Sequence, residues 1–345
     1  MARALKRIER ASRRLLTRLL RGPSQRSESD APPPEPSSIL VTRPDSRLGN
    51  LVLTLPLLEG LRSRFPEARL TLLASDRFAE LPALMGFDVI PVDKARMASH
   101  PWLFPGFARK LRKRGFDCAI DASHPFAFSL SGALVSRLAG ARTRIGFASG
   151  DYEGWYTHAV PGLSKSDHES RTIHRLGSVW PRWPAYSPPL LRTPGRSRCR
   201  CMGVHVGASR GKVYPPDRFS RLVAGLAGIG RVILFWGSEG ERNLAVRLAA
   251  DAAASGLQTV TVSDPLSIAG LLDSFAGLDL LVTADNGPMH VAYALGTPVI
   301  ALFRVQNHDR FGPLSEGSVV LYDPDGPDPE RVILAVKAVQ AGIRP

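Results

Sequence analysis

The chain has 345 residues, 44% hydrophobic and 22% charged, enough for two globular domains of ordinary size, which excludes a small disulfide-stapled or wholly disordered protein. Three cysteines, Cys118, Cys199 and Cys201, are too few for a secreted disulfide framework, and no apolar run reaches the roughly 20 residues that a bilayer span needs. The net charge of +14 is uneven: residues 1–22 carry eight Lys or Arg against Glu9 alone, so half of the excess sits in one tail and no nucleic-acid partner is expected.

Within that tail Leu5, Ile8, Leu15, Leu16, Leu19 and Leu20 recur at helical spacing, which reads either as a basic amphipathic helix on an anionic membrane surface or as a solvated leader. Pro32-Pro33-Pro34 marks an extended linker, so residues 1–37 form a tail and linker ahead of the folded chain. Residues 38–190 then alternate strands (39–42, 69–74, 89–92, 116–121, 143–147) with helices (51–65, 102–114, 129–139). A proline-rich stretch at 181–195 leads into a second series over 197–325. Its strands are 202–206, 231–236, 259–262, 278–283 and 299–303, and its helices are 216–227, 241–254, 268–275 and 288–295. A last amphipathic stretch, 329–343, lies within residues 326–345 and is expected to pack back across the hinge. This alternation predicts an α/β chain of two Rossmann-like domains, in which ligands sit outside the carboxyl ends of the strands.

Two strand ends carry the chemistry. Strand 278–283 runs into Asp285-Asn286-Gly287-Pro288-Met289-His290, where Pro suits the first helical turn and the free N–H groups suit a phosphate. Gly287 permits close backbone approach, Asn286 can cap, and His290 projects from the first turn. Singly, Asp285 or Asn286 reads as an ordinary N-cap and His290 as a core histidine; their convergence points to a ligand site. Strand 202–206 runs into Gly207-Ala208-Ser209-Arg210-Gly211-Lys212. Here Ser209 and the loop amides can bond an anion, and Lys212 offers a point charge to a diphosphate leaving group. Glu241 reads either as a ribose ligand or as a helix N-terminal carboxylate. His168 and His174 lack the spacing of a zinc protease.

Together with Arg43-Pro44-Asp45-Ser46-Arg47-Leu48-Gly49-Asn50, Pro215-Pro216-Asp217-Arg218-Phe219 and Gly296-Thr297-Pro298, these motifs resemble glycosyltransferase family 9, the heptosyltransferases of lipopolysaccharide core assembly, over residues 38–325. The resemblance implies a GT-B fold of two Rossmann-like domains facing across a cleft. The N-terminal domain would bind a glycolipid acceptor and the C-terminal domain an ADP-sugar, in the family ADP-L-glycero-β-D-manno-heptose. By motif, Ser209 and Lys212 would contact the diphosphate, Glu241 the ribose and Leu266 the adenine surroundings. Asp285, Asn286, Gly287 and His290 would contact the sugar and phosphates. The implied enzyme is inverting, uses no metal or cofactor, and works in the cytoplasm, peripheral on the inner face of the membrane.

One position departs from the family. The loop that usually ends Gly-Asp, with the Asp favoured as base, ends here in Gly49-Asn50. An amide can orient a hydroxyl but has no useful basicity. Asp45 is the leading substitute as catalytic base, ahead of Asp121 and His124. Against this, Asp45 also reads as a partner of Arg43 or Arg47, and His124 before Pro125 as turn chemistry. Arg47, Arg142 and Arg144, near strand ends, are the expected acceptor-binding cations. The rival reading is an impaired family member that acts as a nucleotide-sugar-binding module.

Overall fold

Strands covered by helices on both sheet faces read as near-continuous apolar runs, and Leu280–Ala284 and Val299–Phe303 are buried at every position. The computed structural model describes residues 31–100, 102–149, 154–162, 164–192, 200–209 and 211–343. The basic stretch 1–22, most of the linker, and Arg210 lie outside the described residues.

In chain order the first half comprises β1 (Ser38–Arg43), α1 (Leu48–Arg64), β2 (Arg69–Ser75), α2 (Glu80–Leu84), β3 (Asp88–Val92), α3 (Lys94–Ser99), α4 (Leu103–Lys113), β4 (Cys118–Asp121), α5 (Leu130–Leu138), β5 (Thr143–Phe147), β6 (His158–Val160) and α6 (Glu169–His174). The second half comprises β7 (Met202–His205), α7 (Pro216–Ala227), β8 (Val232–Phe235), α8 (Glu239–Ala254), β9 (Val260–Val262), α9 (Ile268–Gly277), β10 (Leu280–Ala284), α10 (Gly287–Ala294), β11 (Val299–Phe303), α11 (His308–Phe311), β12 (Val319–Tyr322) and α12 (Pro329–Gln340).

Two parallel six-stranded sheets result, ordered β3-β2-β1-β4-β5-β6 and β12-β11-β10-β7-β8-β9. Counted from its own first strand, each follows the same doubly wound order, with the direction of winding reversing between β1 and β4 and between β7 and β10. The chain divides into two compact units. Residues up to 46, 54–164 and 170–187 form the first, while 47–53 and 165–169 join 188–345 in the second. The first unit has a core around Leu40, Leu73, Leu111, Phe116 and Ala119. The second is centred on Val204, Leu222, Leu226, Leu234, Val282 and Leu302.

Local sequence explains the helices that flank the site. α7 starts with Pro216 at its first turn and Asp217 beside the positive end of its dipole, and it buries Phe219, Leu222, Val223 and Leu226 as one stripe. Ser238 caps α8, Ser267 caps α9 and Asn286 caps α10, each through its side-chain oxygen. α12, capped by Asp328, packs on α7 and β11, where Val332, Ala335 and Val336 complete the second core.

Candidate functional site

β7 and β10 pair in register, with His205 opposite Thr283, at the point where the winding of the second sheet reverses. The loops that leave both strands therefore meet outside their carboxyl ends. Asn286 ties them together. Its Oδ1 accepts from the Met289 N–H at 3.0 Å and from Thr283 Oγ1 at 3.1 Å, while its Nδ2 donates to Gly207 O at 2.6 Å. Nδ2 also lies 3.1 Å from His205 Nδ1, which accepts the Gly207 N–H at 3.1 Å. Gly207 O stands 3.1 Å from the same Nδ1, so the ring is held between the Asn286 amide and the main chain of residue 207. Burial lowers the pKa of His205, against the opposing charge of Glu241.

Across the same strand ends Lys212 Nζ pairs with Asp285 Oδ2, their side chains 28% and 7% exposed. Asn307 Nδ2 donates to that oxygen at 3.3 Å, and the buried Asn307 Oδ1 accepts no hydrogen bond among the described residues. Glu241 Oε2 accepts the Gly237 N–H at 2.7 Å. Its carboxylate occupies the space that a Cβ on residue 207 would need, which is why glycine stands there. Ser209 is exposed and closes the turn that delivers Lys212, its carbonyl accepting the Lys212 N–H at 2.9 Å. Leu266 stands 40% exposed just ahead of α9.

His290, in the first turn of α10, is 5% exposed, with Nδ1 3.3 Å from Tyr293 Oη. Residues 47–53 cluster with this unit, and Gly49 lies against the imidazole: an added Cβ would come within 2.5 Å of His290 Cδ2. Gly287 is constrained likewise, since its Cβ would lie 3.1 Å from Leu48 Cβ. Asn50 is half-buried and donates its N–H to Arg47 O at 3.1 Å; Arg47 is exposed. Lys212, Glu241, Asp285, Asn286, Gly287 and His290 thus gather around one pair of strand ends.

In the first unit Arg43, 2% exposed, donates Nη1 to Ala122 O and places Nε 2.8 Å from Asp45 Oδ2, an ion pair by distance that is angled off the N–H direction. Asp45 retains 34% side-chain exposure. Asp121 is enclosed: it accepts from Tyr156 Oη at 2.7 Å and from the Ser123 N–H at 3.0 Å, and burial raises its pKa against those bonds. His124 Nδ1 accepts the Phe126 N–H at 3.2 Å, a turn contact. Arg144 donates to Trp155 O at 2.9 Å and to Ala141 O at 3.1 Å, whereas Arg142 is exposed. Among the described residues no three His, Cys, Asp or Glu side chains gather so as to hold a metal ion, and no helix is long and apolar enough to cross a membrane.

Residues 200–337 match the family model for glycosyltransferase family 9 (heptosyltransferase). The chain carries a glycosyltransferase family 9 domain. That domain contains Ser209, Lys212, Glu241, Leu266, Asp285, Asn286, Gly287 and His290; Asp45, Asn50, Arg47, Arg142 and Arg144 lie outside the matched span. Over 309 residues this glycosyltransferase is 25% identical to lipopolysaccharide heptosyltransferase 1 of Escherichia coli K12, covering 81% of this chain and 92% of that one. It is 27% identical over 286 residues to lipopolysaccharide heptosyltransferase 1 of Pseudomonas aeruginosa, covering 76% of this chain and 77% of the relative. An E. coli heptosyltransferase solved with ADP superimposes with a TM-score of 0.72 at 20% identity, over 88% of this chain and 99% of that one, which places the fold as GT-B.

Two residues of the family 9 domain's site escape sequence reading. His205 looks like one more strand residue until Asn286, 81 positions away, meets it. Asn307 follows β11 in an unremarkable loop and reaches the site only through Asp285. His290 supports a prediction. Burial is the main cause that pushes its pKa down to about 4, with Asp285 opposing, so the imidazole is neutral at pH 7. Because the unfolded chain binds the proton more tightly, its contribution to stability is full above about pH 6.5 and is lost as pH falls toward 4, by up to about 3 kcal/mol. Denaturant unfolding at pH 7, 5.5 and 4.5 should show a steeper acid loss for wild type than for His290→Gln; equal slopes would refute the assignment.

Proposed function

We propose that this glycosyltransferase moves a heptose, or a closely related sugar, from an ADP-sugar to a lipopolysaccharide-core or similar glycolipid acceptor, with inversion and without a metal ion, at the cytoplasmic face of the membrane. The observation that carries the reading is the Lys212–Asp285 pair beside the opening of α10, with Asn286 and Gly207 joining the two loops. Such a place suits a diphosphate. Main-chain N–H groups at the helix end and one ammonium stabilise the charge that builds on the leaving ADP. The names of the relatives and the ADP held by the E. coli structure support the donor class.

In this reading the C-terminal Rossmann-like domain, 197–325, holds the donor and the N-terminal one, 38–190, the acceptor. Ser209 adds a donor to the phosphates, Glu241 faces the ribose and Leu266 the adenine. Asp285 and His290 flank the sugar, the neutral imidazole donating or accepting a single hydrogen bond. Asp45 takes the proton of the attacking hydroxyl as the new C–O bond forms and the bond to ADP breaks, while Asn50 orients that hydroxyl. Asp45 is preferred to Asp121 because its carboxylate is open to a substrate, whereas that of Asp121 is enclosed and held by Tyr156 and Ser123. Arg47, Arg142 and Arg144 serve acidic groups on the acceptor. Arg144 is the weakest of the three assignments, since two backbone carbonyls already hold it.

Asn50, in place of the family's Asp, favours one alternative, a module that binds the nucleotide sugar without turning it over. Calorimetric titration of the intact protein with ADP and ADP-heptose, paired with an ADP-release assay on glycolipid acceptors, decides. Binding with release supports transfer. Binding without release on any acceptor assigns the module, and no heat with either ligand overturns both.

A further inference from the structure

α4 is the most strongly two-sided helix of the first unit. Phe107 and Leu111 turn inward, Leu111 fully buried and Phe107 packed on the core. Flanking that buried side is an open groove of about 620 Å³, lined by Phe104, Ala108 and Leu138 together with Arg109, Arg112 and Lys113. Positions 104, 108 and 112 fall on one helical line, with 109 and 113 on the line beside it. None of these three cations has an ion-pair partner among the described residues. No acidic residue occurs in the helix, and Trp102, just before it, is 69% exposed.

An uncompensated basic border around an apolar floor, with an exposed indole at one end, needs an occupant that is apolar inside and anionic at its surface. We propose that this face of α4 docks on an anionic membrane, with Trp102 and Phe104 entering the headgroup boundary and Arg109, Arg112 and Lys113 meeting lipid phosphates. Cations next to an aromatic at an amphipathic surface are the features that give peripheral membrane affinity. A nucleic acid would use the cations but gain nothing from the floor. The inference rests on the membrane location in the proposed function and names the surface that would serve it; vesicle binding is measured without sugar transfer, so the two readings can fail separately.

The test uses the full chain and sedimentation with large vesicles of phosphatidylcholine, alone or with one quarter phosphatidylglycerol. Wild type is expected to pellet with the anionic vesicles only, and R109E/K113E to bind them at least tenfold more weakly. A second readout separates this helix from residues 1–22, which contain no tryptophan. Brominated lipid should quench part of the wild-type fluorescence, and W102F should remove that part. The proposal is overturned if wild type ignores anionic vesicles, if R109E/K113E pellets like wild type, or if quenching is unchanged in W102F. It is equally overturned if light scattering shows a dimer that A108E dissociates, or if a short RNA binds at this face while vesicles do not.

Discussion

Lys212→Ala is expected to lower kcat/KM for sugar transfer by about 10²–10³, the usual effect of removing one group that stabilises charge developing in the transition state. The loss should fall on kcat as well as on KM, because the ammonium matters most when the bond to ADP is breaking. A purely structural role makes a different prediction. Asp285 is 7% exposed and, besides Lys212, accepts from the Asn307 amide at 3.3 Å, so removing the cation leaves a nearly buried carboxylate under-compensated. Part of any activity loss could then reflect a disturbed loop. The double variant Lys212→Met with Asp285→Asn removes both charges. If it restores thermal stability but not turnover, the lost activity reflects the site's contact with substrate and not a disturbed loop. Steady-state kinetics within threefold of wild type for Lys212→Ala would refute the donor assignment.

The second large effect is expected at Asp45. Asp45→Asn keeps the size of the side chain and removes its basicity, and should reduce kcat by about 10²–10⁴ while leaving the dissociation constant for ADP within twofold. Arg43 is nearly buried and keeps its bond to Ala122 O, so the fold around β1 should survive the change, which a Tm measurement checks. If Asp45→Asn turns over at the wild-type rate, Asp45 is only the partner of Arg43, and the enclosed Asp121 becomes the carboxylate to change next.

From β7 to β11 the sequence predicts every element to within two residues at each end, and for α7 and β11 both ends coincide. Runs that are buried on both faces carry no ambiguity about which side is apolar. The missed strands are edge strands. β6 and β12 pair on one side only, and their residues are mostly half-buried, so they lack a continuous apolar signature. α2 and α3, of five and six residues, are too short to show a periodic stripe. At the site, Asp285 to His290 stood out because a strand end, a glycine and a proline adjoin in sequence. The Lys212–Asp285 pair, 73 residues apart, did not, since composition cannot say which charge meets which.

Both sheets run parallel, and the residues assigned to substrates, Arg142 and Arg144 at the amino end of β5 excepted, follow the carboxyl ends of β1, β7, β8, β9 and β10, while Val332, Ala335 and Val336 brace the second core from elsewhere. Durability and selectivity therefore draw on largely separate sets of positions. A laboratory lineage could exchange loop residues to accept another sugar or another lipid while inheriting its resistance to unfolding nearly intact.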